Sequence, residues 1–328
     1  MRLGRLMFVI KELDSHALGF YDATQLHFSL EAAVKRTPFV LVLLFVILFP
    51  TTALATPLVF VSIPPQRHFL QRLGGDQLDV RVMVPPGASP ATYEPSPRQM
   101  TRLAEAKAYF SIGVPFEKTW LERFKAVNPD LKIIRSEQGV PRRSMISHER
   151  LDAHQTERHQ GRPDPHIWLS PELVTIQARN LYQGLVHIDP DNTAFYRSNL
   201  EIFLQELDRL ETGIRSIFDP LPARSRSFLV FHPAWGYFAQ SFGLKQIPIE
   251  SEGKEPSPGQ LAGIIRQGRE HGISVIFVQP QFSDKSARVI AHEMGARVVA
   301  VDPLAEAWED NLRTAARAFK QALEDRGG

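Results

Sequence analysis

From residue 58 onward the chain alternates short, continuous apolar runs with longer stretches whose apolar positions recur every three or four residues. The short runs are 58–63 (LVFVSI), 78–84 (LDVRVMV), 108–112 (AYFSI) and 131–134 (LKII), then, after a gap of about ninety residues, 227–231 (SFLVF), 246–249, 273–278 (ISVIFV) and 297–302 (RVVAVD). Runs of this length and β-branched or aromatic content predict buried strands. Helical grammar fills the intervals. Ser96-Pro97 and Ser257-Pro258 each supply an N-cap followed by a first-turn proline, and His271-Gly272 closes the second of these helices. Strand and helix in alternation predict an α/β fold of two α/β lobes with mostly parallel sheets.

The gap between the two groups of strands holds one long period. Tyr196, Leu200, Phe203, Leu207, Leu210, Ile214 and Ile217 form a continuous stripe over 193–218. A helix of that length spans about 40 Å, and it reads either as a long helix of one lobe or, as favoured here, as a rigid connector packed on both. The resulting division is an N-terminal extension and signal peptide (1–55), an N-terminal α/β lobe (56–190), the connecting long helix (191–218) and a C-terminal α/β lobe (219–328).

The first 55 residues carry a different pattern. Lys35 and Arg36 precede an apolar run at 39–49 (FVLVLLFVILF), followed by Pro50 and Ala53-Leu54-Ala55. A basic patch, a short apolar segment and an A-x-A end are the parts of a cleaved export signal. The run is shorter than the ~20 residues that cross a bilayer as a helix; a retained anchor is the alternative. The 34 residues ahead of it are long for a charged region, and initiation at Val34 would give an ordinary opening.

Composition narrows the chemistry. The formal charge is +2, with acidic and basic residues interspersed, which gives no sign of nucleic-acid binding. The chain has no cysteine. Disulfides, thiolate nucleophiles, cysteine metal sites and a lipid-anchored N-terminal cysteine are therefore excluded, and any metal must be held by histidine and oxygen ligands.

Three such residues stand in turns or at strand ends, where open α/β sheets bind ligands. His166 lies in Asp164-Pro165-His166-Ile167-Trp168, a turn stiffened by proline and anchored by tryptophan. His232 follows the strand at 227–231. Asp302 ends the strand at 297–302, ahead of Pro303. Singly, each is an ordinary capping or turn residue. Together, two imidazoles and a carboxylate form a ligand set that suits zinc. The polar segment 142–163 has no period and carries His148, His154 and His159, which reads as an exposed loop.

The motifs GGD at 74–76, VPPGASPATYEPSPRQM at 84–100, DPHIWLSP at 164–171, FHPAWGYFAQSFGL at 231–244, EGKEPSP at 252–258, IFVQPQFS at 276–283 and VDPLA at 301–305 resemble those of the metal solute-binding proteins of ABC importers. This is the cluster A-I family of zinc and manganese receptors. The resemblance implies two lobes joined by one long helix, with a metal clamped between them and little hinge motion on binding. It implies zinc as transported ligand rather than catalytic cofactor, with manganese the alternative; His at position 232 favours zinc. It also implies an inner-membrane ABC permease as partner and a periplasmic location.

By position, His166, His232 and Asp302 match three of the four metal ligands. The fourth departs from the pattern, because the family's PGASPHTYEP reads PGASPATYEP here and Ala91 cannot coordinate. Water, a low-affinity site, a different solute or a substitute side chain are the readings left open. His68, near the start of the helix after the first strand, is the leading substitute, with Glu252 weaker and Glu255 better read as a loop residue. The short histidine loop matches the place where zinc receptors carry a His-rich insertion.

Other functions remain in view at this point. A His, His, Asp site with an open position would suit a zinc hydrolase, although the chain contains neither HExxH nor GxSxG and offers no evident general base. A receptor for chelated metal or another solute, and a metal-dependent surface protein, are the remaining alternatives.

Overall fold

The computed structural model describes residues 56–145, 162–222, 226–250 and 256–325. The export signal, His148, His154, His159, Glu252 and Glu255 lie outside the described residues.

Among the described residues, eight strands form two four-stranded sheets of identical, wholly parallel topology. In the first, β1 (Leu58–Val61), β2 (Asp79–Val82), β3 (Ala108–Ser111) and β4 (Lys132–Arg135) are ordered β2-β1-β3-β4. In the second, β5 (Ser227–Val230), β6 (Lys245–Pro248), β7 (Val275–Val278) and β8 (Arg297–Ala300) are ordered β6-β5-β7-β8. The chain reverses its direction of winding after the second strand of each sheet. A crevice therefore opens at the carboxyl ends of β1 and β3, and another at those of β5 and β7.

The helices are α1 (Pro64–Gly74), α2 (Pro97–Leu103), α3 (Glu117–Val127), α4 (Pro171–Ile188), α5 (Thr193–Phe218), α6 (Gly236–Ser241), α7 (Pro258–Glu270), α8 (Lys285–Met294) and α9 (Trp308–Glu324). Their starts follow the expected grammar. Ser96 and Ser257 accept from the backbone N–H of Gln99 and Gln260, closing capping boxes ahead of α2 and α7. Gly272 takes a φ of 59° just past α7, a left-handed conformation that glycine adopts without a Cβ penalty.

Helix α5 is the predicted long helix, with one shift at its end: Phe218, rather than Ile217, completes the buried stripe. It packs on α1 and α4 of the first lobe and on α9 of the second. Asn199 Nδ2 donates to Leu73 O at 2.9 Å and fixes α5 against the end of α1. Truncating a buried anchor on this stripe, such as Phe203, to alanine costs about 3–5 kcal/mol.

One apolar core runs through both lobes. It contains Val59, Phe60 and Phe110 of the first sheet, the α5 stripe, and Phe228, Val230, Val275 and Phe277 of the second. The alternate residues of those last strands, Leu229, Ile276 and Val278, face a separate core with Ile264 of α7 and Ile290 of α8. Period-two alternation thus divides the second sheet into two faces, and one face is continuous with the first lobe. Trp308, at the start of α9, reaches across to pack edge-on against Phe69 of α1 at 4.9 Å. Two indole hydrogen bonds add to this: Trp168 Nε1 donates to Pro303 O at 2.7 Å, and Trp308 Nε1 to Trp168 O at 2.8 Å. Lobes that share a core and buried polar contacts resist hinge motion.

Candidate metal centre

The loops that follow the strand ends of both sheets surround one cavity of about 720 Å³. From the first lobe come Ala91, in the long loop after β2, Val114 and Pro115 after β3, and His166. From the second come His232 after β5, Gln281 and Phe282 after β7, and Pro303 and Leu304 after β8.

His166 and His232 meet in this cavity. Their Nε2 atoms lie 3.3 Å apart, and each ring is oriented from behind by a carboxylate. Asp164 Oδ1 stands 2.7 Å from His166 Nδ1 and also accepts from the His166 backbone N–H at 3.1 Å. Glu250 Oε1 stands 2.6 Å from His232 Nδ1. A carboxylate accepts, so it holds the ring proton on Nδ1 and leaves the Nε2 lone pair facing forward. Two lone pairs directed at each other are repulsive unless a proton or a cation lies between them. Two imidazole nitrogens bound to one tetrahedral zinc, each at about 2.0–2.1 Å, are separated by about 3.3–3.4 Å. The observed spacing matches that geometry.

The support behind the rings is buried. Asp164 is 0% exposed and Glu250 1%. Gln279 clamps the His232 backbone in both directions, accepting from its N–H at 3.1 Å and donating to its carbonyl at 2.7 Å. Tyr237 Oη donates to Asp164 O at 3.2 Å and accepts from Arg143 N at 3.0 Å, so α6 of the second lobe braces the His166 turn of the first. Gly236 allows this approach, because a Cβ there would stand 2.9 Å from Asp164 Oδ2. Burial lowers the His232 pKa and outweighs the opposing pull of Glu250, which keeps the imidazole in its neutral, metal-binding form.

The sequence-predicted residues fare differently. His166 and His232 are brought together. Asp302 lies at the same edge of the site, next to the lining residues Pro303 and Leu304. Its Oδ1, however, accepts from Gln281 Nε2 at 2.7 Å and from Leu304 N at 2.9 Å. Among the described residues no group of three or more His, Asp or Glu side chains is already assembled around one metal position. Two of the three expected residues are thus brought together, while the Asp302 carboxylate is held by Gln281 and the Leu304 backbone.

His68 is not brought to the site. Its ring packs among Phe69, Phe203 and Trp308, and Nε2 lies 3.5 Å from Glu309 Oε1 in a separate pocket shared with Arg72 and Glu206. The reason lies in the helix period. Gln66 takes the position on α1 that faces the strand ends, accepting from Ser62 N and donating to Phe110 O and Ser111 O. Two residues later the helix has turned about 200°, so His68 faces away. Ala91 itself lines the cavity with His166 and His232. The position is on the site, and the ligand atom is missing from it.

Four supporting residues escaped the sequence reading as functional: Asp164, Glu250, Gln279 and Glu117. The first lies inside the DPH motif and the second ends the run after β6, so proximity to a strand end was the available signal. Glu117 is buried beneath the 112–117 loop, accepting from Ser62 Oγ and from the backbone N–H groups of Ile112 (3.0 Å) and Gly113 (2.8 Å). Burial raises its pKa to about 7 against the pull of those donors. It shapes the wall of the cavity without facing it.

Comparisons with known proteins identify the family and the fold. The family model for the periplasmic zinc-uptake complex component A, ZnuA, matches residues 59–322. The high-affinity zinc uptake system protein ZnuA of Bacillus subtilis is 29% identical over 252 residues, covering 75% of this chain and 78% of that protein. A crystal structure of ZnuA is 45% identical, with a TM-score of 0.75, and covers 82% of this chain and 99% of that one. A zinc-bound ZnuA deletion mutant is 44% identical, with a TM-score of 0.74, over 81% of this chain and 98% of that one. Two four-stranded parallel sheets bridged by a long helix are thus a fold shared with proteins of metal uptake, and the chain belongs to the family of periplasmic zinc-uptake complex component A.

Proposed function

We propose that this chain captures zinc in the periplasm and delivers it to the permease of an ABC importer, with His166 and His232 as the anchoring ligands and Asp302 as the third. The observation that carries the reading is the 3.3 Å separation of two Nε2 atoms, each backed by a buried carboxylate. That arrangement offers a cation two preoriented lone pairs and a nearby negative charge from Asp164 and Glu250. Asp302 joins by exchanging its contact with Gln281 for the metal. Manganese is the weaker cargo, because two imidazoles suit zinc better than an oxygen-preferring ion. The basic patch, short apolar run and A-L-A end before residue 56 support export and cleavage.

The test is a zinc-dependent thermal shift with a competing chelator. Zinc binds the folded site alone, so it raises the Tm by mass action. His166→Ala and His232→Ala each abolish most of that rise. A wild-type response in both variants contradicts the assignment.

A further inference from the structure

A single zinc ion explains the histidine pair but not the cavity around it. At about 720 Å³ the space is that of a small-molecule pocket rather than of a clamp on one ion. Its charge is also reversed from what a bare dication would select. Lys118, Arg135, Arg142 and Arg162 line it, and no Asp or Glu does among the described residues. Arg135 is paired with Glu137 at 3.1 Å. Arg142 instead donates to two neutral carbonyls, Ile112 O at 3.1 Å and Asp164 O at 3.3 Å, which hold the guanidinium at the wall without cancelling its charge. Lys118 extends from the exposed face of the first turn of α3. Apolar wall comes from Pro90, Val114, Trp168 and Phe282. Ala91 lines the same cavity and offers no ligand, so a metal held by His166, His232 and Asp302 has a coordination position left open to this basic chamber.

We infer that the site takes zinc together with a small polycarboxylate chelator. A carboxylate oxygen of the chelator fills the coordination position that Ala91 leaves open, and its remaining charge is met by Lys118 and Arg142. The inference rests on the zinc site proposed above and assigns the missing ligand to the cargo rather than to the protein. The chemistry is ligand exchange at one metal: the two imidazole Nε2 atoms displace water or weakly held oxygens from a partly chelated zinc, and no proton or electron is transferred. Basic groups then favour a neutral or anionic zinc–carboxylate complex over the free dication.

The experiment is equilibrium dialysis of the mature protein with radiolabelled zinc and, separately, radiolabelled citrate, malonate or oxalate, each at equimolar chelator and metal. The expected result is retention of about one chelator per protein with at least one of the three, only when zinc is present. Lys118→Gln and Arg142→Gln each weaken chelator retention about tenfold. Ala91→His, which supplies an imidazole in place of the carboxylate, retains zinc but releases the chelator. Arg142 also bridges two loops, so Lys118→Gln on the exposed turn is the control for folding. Zinc retained at one per protein with none of the three chelators overturns the inference and leaves the zinc site standing. Failure to retain zinc in any form overturns both. Chelator retention that is independent of zinc also overturns it, since the metal would then have no part in holding the anion.

Discussion

The indole N–H of Trp168 donates to Pro303 O at 2.7 Å, tying the residue two positions after His166 to the residue directly after Asp302. Two of the proposed ligand positions, one in each lobe, are thereby fixed to each other by a buried bond that involves neither ligand. Because Trp308 in turn donates to Trp168 O, the turn around His166 is held from both sides of the lobe boundary.

Trp168→Phe tests that coupling. It leaves Pro303 O without its buried donor, a loss of about 1–3 kcal/mol. The metal-free protein then unfolds at a lower denaturant midpoint with an unchanged slope. Zinc affinity falls as well, because the variant must pay to align the two halves of the site. Unchanged stability would show that the bond from Trp168 to Pro303 O contributes nothing to holding the two lobes together.

Glu250 fixes the tautomer of His232 through Nδ1. Glu250→Gln keeps the shape and lets the amide oxygen accept the ring proton, but it removes the charge that makes the imidazole a better ligand. Loss of such a partner typically costs 10- to 100-fold in metal affinity. Competition titration with a zinc chelator measures it, and an unchanged constant would mean that Glu250 is merely a packing residue.

His68→Ala leaves zinc affinity unchanged, since the ring faces Glu309 in another pocket. Ala91→His tightens zinc binding at least tenfold, because position 91 lines the cavity with both histidines. The same competition titration checks both. The reverse pair of outcomes would place the fourth ligand on α1.

His232 and Glu117 act on stability with opposite signs. The His232 pKa is lower in the folded chain than the ordinary histidine value of about 6.5, so the unfolded chain binds more protons below that pH. The metal-free protein loses this contribution as pH falls through the ordinary histidine range toward the lower folded value, and zinc affinity falls with it. The Glu117 pKa is raised from 4.5 to about 7, so the folded chain binds more protons between those limits, and stability declines there as pH rises. Denaturant titrations from pH 4.5 to 7.5 of the wild type, His232→Gln and Glu117→Gln separate the terms: each variant loses the slope its group contributes. Parallel profiles in all three would contradict both assignments.

The strands, the long helix and the serine caps were legible in the sequence because each rests on local rules: apolar runs for strands, a three-to-four spacing for α5, and side-chain capping for α2 and α7. Burial is the exception, because β4 and β8, expected to be buried, lie at the sheet edges with exposed ends and half-buried middles. The meeting of His166 and His232 was legible because loops beyond the carboxyl ends of parallel strands converge on one crevice. The misplacement of His68 came from one degree of freedom that sequence proximity does not settle, the rotation of α1 about its axis, which Gln66 fixes through its bonds to Ser62, Phe110 and Ser111. The tether on Asp302 and the buried carboxylate behind His232 were not legible either. Gln281 and Glu250 reach those residues across 21 and 18 positions of chain, contacts made by the folded sheet rather than by local pattern.

The most direct test of the central claim is anomalous X-ray scattering at the zinc edge from crystals of the protein grown with stoichiometric zinc. The account predicts one dominant peak about 2.0–2.1 Å from both His166 Nε2 and His232 Nε2. A dominant peak elsewhere, such as beside His68 and Glu309, with none between the two histidines, would contradict it.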